Sequence, residues 1–127
     1  MNSKQKRPKF LNLFAIHLPV TGVTSFAHRI SGALMILAIP GVIFLFGLSL
    51  RSQQGFDASI RILHSWPLKL VLSLLVWTLT HHILAGLRFL LLDINVGERL
   101  AAAKGSAWAV NITGLVVFLF MLYKIWL

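Results

Sequence analysis

The sequence predicts an all-α integral membrane protein with three transmembrane helices. Of its 127 residues, 57% are hydrophobic and only 12% are charged, whereas about a quarter are charged in a typical soluble domain. Residues 30–50 and 105–123 carry no charged side chain, and residues 70–87 carry none apart from two histidines. About 20 helical residues cross the bilayer core, so each run approaches or reaches the length of one span.

Proline and glycine residues divide the chain into its elements. Residues 1–19 form a basic arm, and Pro19 stands before a first span at about residues 20–50, which Pro40 is expected to kink. Residues 56–63 of the first loop are a candidate interfacial helix. Pro67 precedes a second span at about residues 68–92, and Gly97 forms the turn before a third at about residues 105–126. We expect one membrane domain, residues 1–127.

The net charge of +9 would suit a nucleic-acid partner, but the basic residues do not form one face. Most stand near the ends of the apolar runs: Lys4, Lys6, Arg7, Lys9, Arg51, Arg61, Lys69, Arg99, Lys104 and Lys124. Charges in these places act as anchors at the lipid headgroups and as topology signals. We therefore expect lipid and no nucleic acid as a partner.

The distribution of basic residues also predicts the orientation. The arm and the second loop together carry more of them than the opposite side, which predicts a cytoplasmic N-terminus. The arm lacks the pattern of a secretory signal and is too short and serine-poor for a mitochondrial transit peptide. These features favour the inner (cytoplasmic) membrane of a bacterium.

The absence of cysteine limits the chemistry of this chain. It excludes a thiolate-held iron–sulfur cluster, a disulfide framework and covalent haem attachment by this chain. A bound metal would need histidine or the ligands of a partner subunit.

A first polar cluster opens the first span. Ser25, His28 and Arg29 are spaced i, i+3, i+4 and share one helix face, which Gly32 continues. A hydroxyl, an imidazole and a guanidinium together suit an oxygen-rich ligand such as a carboxylate or a quinone carbonyl. The alternative is that Arg29 extends to the headgroups, Ser25 bonds a backbone carbonyl and His28 only packs.

A second polar cluster lies inside the second span, where imidazole and guanidinium groups are costly in lipid. Gly86 follows His82 by four residues and could leave room for a flat macrocycle, and neutral imidazole is a common axial ligand of haem iron. Arg88 lies about 9 Å further along the axis, towards the expected depth of Arg29. Two arginines at one level fit haem propionates that point to the cytoplasmic side.

Helical periodicity alone does not decide which of the two adjacent histidines would bind the haem iron. His81 shares a face with Trp77 and Arg88, and it remains the lesser alternative to His82. Hydrogen bonds between helices would also explain either histidine. We expect His28 to lie too far from the bilayer centre to reach the iron, so a partner subunit would supply the second axial ligand.

Two runs identify a family resemblance. Residues 25–32, SFAHRISG, and residues 82–88, HILAGLR, followed by Asp93, resemble the cytochrome b subunit of succinate dehydrogenase (respiratory complex II). The resemblance covers nearly the whole chain, including the basic arm and the loops. The family usually has histidine after the second-span arginine, whereas this chain has Phe89.

The resemblance implies half of a six-helix heterodimeric anchor bundle, completed by a second small membrane-anchor subunit. This bundle would hold one haem b, dock the iron–sulfur and flavoprotein subunits, and pass electrons from succinate to ubiquinone. By motif position, His82 would be an axial iron ligand and a histidine of the partner anchor the other. His28 and Arg29 would lie near the propionates, and Ser25 and Arg29 would line the ubiquinone site.

Three alternatives remain open at this point. The complex could work as a fumarate reductase, or the chain could be a structural anchor without haem. A small transporter or channel component would need a polar stripe along the full depth of the bundle. Polar side chains of the third span, Asn111 and Thr113 among them, lie near its start, which disfavours that class.

Overall fold

The computed structural model describes residues 17–127, which form four α-helices. In chain order these are α1 (Val20–Ser49), α2 (Gln53–Leu63), α3 (Trp66–Asp93) and α4 (Leu100–Trp126). Three of them, α1, α3 and α4, are long and apolar enough to cross a membrane, and the described residues include no strand. The all-α, three-span prediction is confirmed. The predicted arm lies outside the described residues except for residues 17–19.

The helix ends follow local chemistry. α2 begins at Gln53, earlier than the predicted residue 56, because the Ser52 side chain accepts a hydrogen bond from the backbone N–H of Gly55 at 3.0 Å. α4 begins at Leu100 rather than at residue 105, since the alanines at positions 101–103 are strong helix formers. α1 continues as a helix through Pro40.

α3 is the central helix and packs against both α1 and α4. The side chains buried at these contacts are mostly small or polar: Thr24, Ser31, Ser73, Thr78, Ala85, Ala107 and Gly114. Small residues allow close approach of helices within a membrane. Large apolar side chains such as Ile36 and Leu37 instead face outward, with 68% and 75% of their surface exposed. This arrangement suits a lipid environment.

The two connections lie at opposite ends of the three-helix unit. α2 folds against the end of α1, where the Ser59 hydroxyl donates a hydrogen bond to the Leu45 carbonyl at 3.3 Å. The turn between α3 and α4 uses left-handed backbone at Asn95 (φ 61°) and Gly97 (φ 79°), conformations that these two residue types tolerate best. The start of α1, the end of α3 and the start of α4 therefore share one side of the membrane, and both polar clusters lie in that half.

Candidate functional site

Two histidines meet between α1 and α3. The rings of His28 and His82 stack with their centroids 4.1 Å apart and their planes 15° from parallel. The edge of Phe89 closes the other side of His28, with a centroid distance of 5.2 Å. The sequence-based expectation that His28 lies at a shallower level than His82 is therefore wrong. The two helices run antiparallel, and each histidine lies a few turns from the same side of the membrane.

Two glycines leave space for the stacked rings, each beside the histidine of the opposite helix. A Cβ atom on Gly32 would lie 3.1 Å from Cε1 of His82, and one on Gly86 would lie 3.6 Å from Nε2 of His28. Each glycine thus accommodates the histidine of the opposite helix. Gly86 faces His28 in this arrangement, and it is Gly32 that the His82 ring approaches most closely.

The Nδ1 atom of His82 is held by two oxygens of α1. It lies 3.1 Å from the Ser31 hydroxyl and 3.3 Å from the His28 carbonyl. The other ring nitrogen, Nε2, makes no hydrogen bond to a residue within 17–127, and the His82 side chain is half-buried. The Nε2 of His28, in contrast, is buried and unpaired among the described residues.

His81 belongs to a different contact, between α3 and α4. Its side chain is buried, and its Nε2 lies 3.2 Å from Oδ1 of Asn111, the same oxygen that accepts a hydrogen bond from the Thr24 hydroxyl. Gly114 lies beside the ring. Asn111 therefore connects all three membrane-spanning helices, and His81 faces the interior of the chain.

Arg88 also faces α4. Its side chain is only 6% exposed, and its guanidinium donates hydrogen bonds to Oγ of Ser106 at 3.0 Å and to the Ala103 carbonyl at 3.1 Å. The guanidinium carbon lies 5.2 Å from the Phe89 ring. The other three of its five N–H groups make no hydrogen bond to a residue within 17–127.

Ser25 and Arg29 lie on the outward side of α1, next to His28 along the helix. Ser25 is half-buried and Arg29 is exposed. Neither side chain makes a hydrogen bond to another residue within 17–127. The structure therefore groups His28 with His82, puts Arg88 on the α4 side of α3, and leaves Ser25 and Arg29 without a side-chain hydrogen bond to the other described residues.

Sequence reasoning missed three residues that organise this region: Thr24, Ser31 and Ser106. Thr24 and Ser31 are seven residues apart and therefore share a helix face, which could have marked them as the inward side of α1. Ser106 gave no such signal. Nothing local to the sequence shows that it meets Arg88.

The described part of the chain contains no cluster of side chains for a metal ion bound directly by the protein. Residues 17–127 bring together no group of three or more His, Asp or Glu side chains that could hold a metal ion. Three imidazoles instead lie in two separate contacts between apolar helices: His28 stacks on His82, and His81 lies against Asn111.

The fold and the polar cluster together define a three-span helical membrane subunit with histidines between its helices. The sequence profile of the family described as "Succinate dehydrogenase/Fumarate reductase transmembrane subunit" matches residues 3–122. The chain belongs to this family, which confirms the resemblance found in the sequence. It is accordingly a cytochrome b-type membrane subunit of the succinate dehydrogenase class of complexes.

Two relatives illustrate the similarity. The chain is 28% identical over 122 residues to the "Succinate dehydrogenase cytochrome b556 subunit" of Coxiella burnetii, covering 95% of this chain and 98% of that protein. It is 30% identical over 115 residues to the protein of the same description from Paracoccus denitrificans, covering 91% and 88% respectively. In both cases the similarity extends over nearly the full length.

Proposed function

We propose that this chain binds one haem b through Nε2 of His82 and forms part of a ubiquinone-reducing site in a succinate dehydrogenase. The observation that carries the proposal is the pair of contacts at His82. Its Nδ1 is held by the Ser31 hydroxyl and the His28 carbonyl, while Nε2 has no hydrogen-bond partner within residues 17–127. A histidine that binds a metal usually donates a hydrogen bond from its other ring N–H to such an oxygen. When bound, haem b supplies a one-electron carrier between the iron–sulfur subunit and the quinone.

The stacked histidines are compatible with this role. His28 covers a face of the His82 ring, whereas iron ligation uses the lone pair at the ring edge. The buried unpaired Nε2 of His28 is a polar atom that a haem propionate could satisfy. His81 is the lesser alternative as ligand, because its Nε2 is already paired with Asn111 and its ring is enclosed between α3 and α4.

The arginines would neutralise propionate charge in this proposal. Arg29 is exposed on the side of α1 next to His28, so its guanidinium can approach an anionic group from outside. Arg88 keeps three N–H donors beyond its bonds to α4 and would use them for the same purpose. Ser25 and Arg29 would bind the quinone carbonyl on the cytoplasmic side, where protons are available.

The remaining parts of the site would come from other subunits. The Nε2 side of the His82 ring would face a second small membrane anchor, which would supply another ligand to the haem iron and complete a six-helix bundle. The iron–sulfur subunit would dock on the side of the N-terminus and carry the flavoprotein subunit. We place the assembly in a bacterial inner membrane with the N-terminus in the cytoplasm. A fumarate reductase of the same architecture, or a haem-free anchor, is the alternative.

The decisive experiment compares His82→Leu with His81→Leu in the purified complex. We expect His82→Leu to abolish or strongly alter the reduced-minus-oxidised haem b spectrum, and His81→Leu to leave the haem spectrum in place. A normal spectrum in the first variant and a lost one in the second would make His81 the ligand. A pyridine haemochrome assay of the unmodified complex that finds no haem b would show a purely structural anchor.

A further inference from the structure

The Ser31 side chain lies within hydrogen-bond distance of His82 and is fully buried. Its hydroxyl oxygen lies 2.7 Å from the His28 carbonyl oxygen, one turn earlier on α1, and 3.1 Å from Nδ1 of His82. The same carbonyl lies 3.3 Å from that Nδ1. Two oxygens and one nitrogen thus form a closed triangle.

The distances in this triangle indicate which of its three atoms carry a hydrogen. Two oxygens only 2.7 Å apart need a hydrogen between them, and a carbonyl cannot donate, so the Ser31 hydroxyl donates to the His28 carbonyl. The Ser31 oxygen can then only accept a hydrogen bond from His82. Nδ1 of His82 must therefore carry a proton, which it shares between both oxygens. In the neutral ring the lone pair then lies on Nε2.

The neighbouring histidine shows the opposite assignment. Oδ1 of Asn111 is an acceptor, so Nε2 of His81 carries the proton in that contact. The lone pair of a neutral His81 then lies on Nδ1, which is buried and unpaired among the described residues. The contacts therefore favour opposite tautomers for the two adjacent imidazoles, with the proton on Nδ1 of His82 and on Nε2 of His81.

We propose that Ser31 is a positioning residue that fixes the Nδ1–H tautomer of His82 and so prepares Nε2 as an iron ligand. This inference rests on the proposed function, in which His82 binds the haem iron. The Nδ1–H donation also makes the imidazole a more basic ligand, which stabilises the ferric state and lowers the reduction potential. Ser31 thus contributes both to haem retention and to the potential of the haem.

The test uses Ser31→Ala in the whole complex. The variant removes one acceptor and leaves only the longer contact to the His28 carbonyl. We expect haem affinity to fall about 10-fold, a typical effect for the loss of such an outer hydrogen bond, and the haem reduction potential to become more positive. Haem per complex after extensive washing and a potentiometric titration measure the two effects.

Two further variants make the comparison specific. Ser73→Ala is the matched control, since Ser73 is also a buried serine that donates to a helix carbonyl, that of Lys69, but makes no hydrogen bond to a histidine. It should retain the normal potential and haem content. Ser31→Cys keeps a side chain of similar shape with a weaker acceptor, so its potential should lie between those of Ser31→Ala and the unmodified complex.

A second readout does not depend on haem. In the complex prepared from haem-deficient cells with ¹⁵N-labelled histidine, NMR should show His82 protonated at Nδ1 and His81 at Nε2. A His82 protonated at Nε2 would overturn the inference. An unchanged reduction potential and haem content in Ser31→Ala would also overturn the inference. If His82→Leu loses its haem in the same series, the proposed function still stands. A normal haem in His82→Leu would instead overturn the proposed function, and the inference with it.

Discussion

His81 and His82 are adjacent in the chain but belong to different contacts, because one residue turns a helix by about 100°. His81 faces α4 and pairs with Asn111, whereas His82 faces α1 and lies against Ser31. A rotation of α3 by one residue would put His81 in the place of His82 against Ser31, and the contact with Asn111 would be lost. At this scale, the chemistry depends on the rotation of α3.

Arg29 is the residue whose exposed charge we expect to matter most for quinone reduction. Arg29→Leu would remove the proposed charge-assisted hydrogen bond from the guanidinium to the quinone carbonyl. Such a bond contributes about 1.5–3 kcal/mol, which corresponds to roughly a 10- to 100-fold change in rate. Succinate:ubiquinone reductase activity should fall by that order, while succinate oxidation with a soluble electron acceptor should persist. Steady-state assays of both reactions on the same membranes measure the difference.

Arg99→Leu provides the control, since Arg99 is an exposed arginine just before α4. It should retain both activities. Equal quinone reductase activity in Arg29→Leu and the unmodified complex would remove Arg29 from the proposed site.

The three spanning helices are joined by polar contacts rather than by a large apolar core. Asn111 on α4 bonds His81 on α3 and Thr24 on α1, and Arg88 bonds α4 at two points. Buried polar groups in lipid need such partners because water is not available. These contacts keep α3 in the orientation in which His81 faces α4 and His82 faces α1.

The variant Asn111→Leu tests this role of α4. It leaves the Nε2–H of His81 unpaired and removes an acceptor of Thr24. Since hydrogen bonds between membrane helices contribute about 0.6 kcal/mol each on average, we expect a loss of about 1 kcal/mol. A lower temperature for dissociation of the purified complex would show it, with haem still bound.

Thr113→Leu is the matched control on the same helix, because Thr113 is exposed and makes no hydrogen bond through its side chain to the rest of residues 17–127. It should leave the dissociation temperature unchanged. The same decrease in both variants would show that Asn111 does not connect the helices.

The whole molecule presents an apolar surface along all three spans, with α2 and the α3–α4 turn at opposite ends. The chain contains no cysteine, so single cysteines can report the orientation directly. Gln54→Cys on α2 and Glu98→Cys in the turn both replace exposed residues. We expect a membrane-impermeant maleimide to label Gln54→Cys in intact cells and Glu98→Cys only after the inner membrane is opened. The opposite pattern would reverse the proposed orientation.

Much of this architecture was determined by the sequence alone. The three spans follow from the length of the apolar runs, because the bilayer sets a minimum length and requires every backbone group to be satisfied within the helix. The polar runs around His28 and His82 lie where the structure brings these two rings together. The predicted turn at Gly97 has the left-handed backbone that glycine allows.

Only the tertiary structure decided which polar groups meet. It stacked His28 on His82, put Ser31 against Nδ1 of His82, and paired His81 with Asn111. The sequence could not show this, since helices that are apolar on nearly every side carry no clear periodic stripe from which to read their rotation. Close packing at small residues such as Gly32 and Gly114 sets that rotation, and such packing exists only once the helices are together.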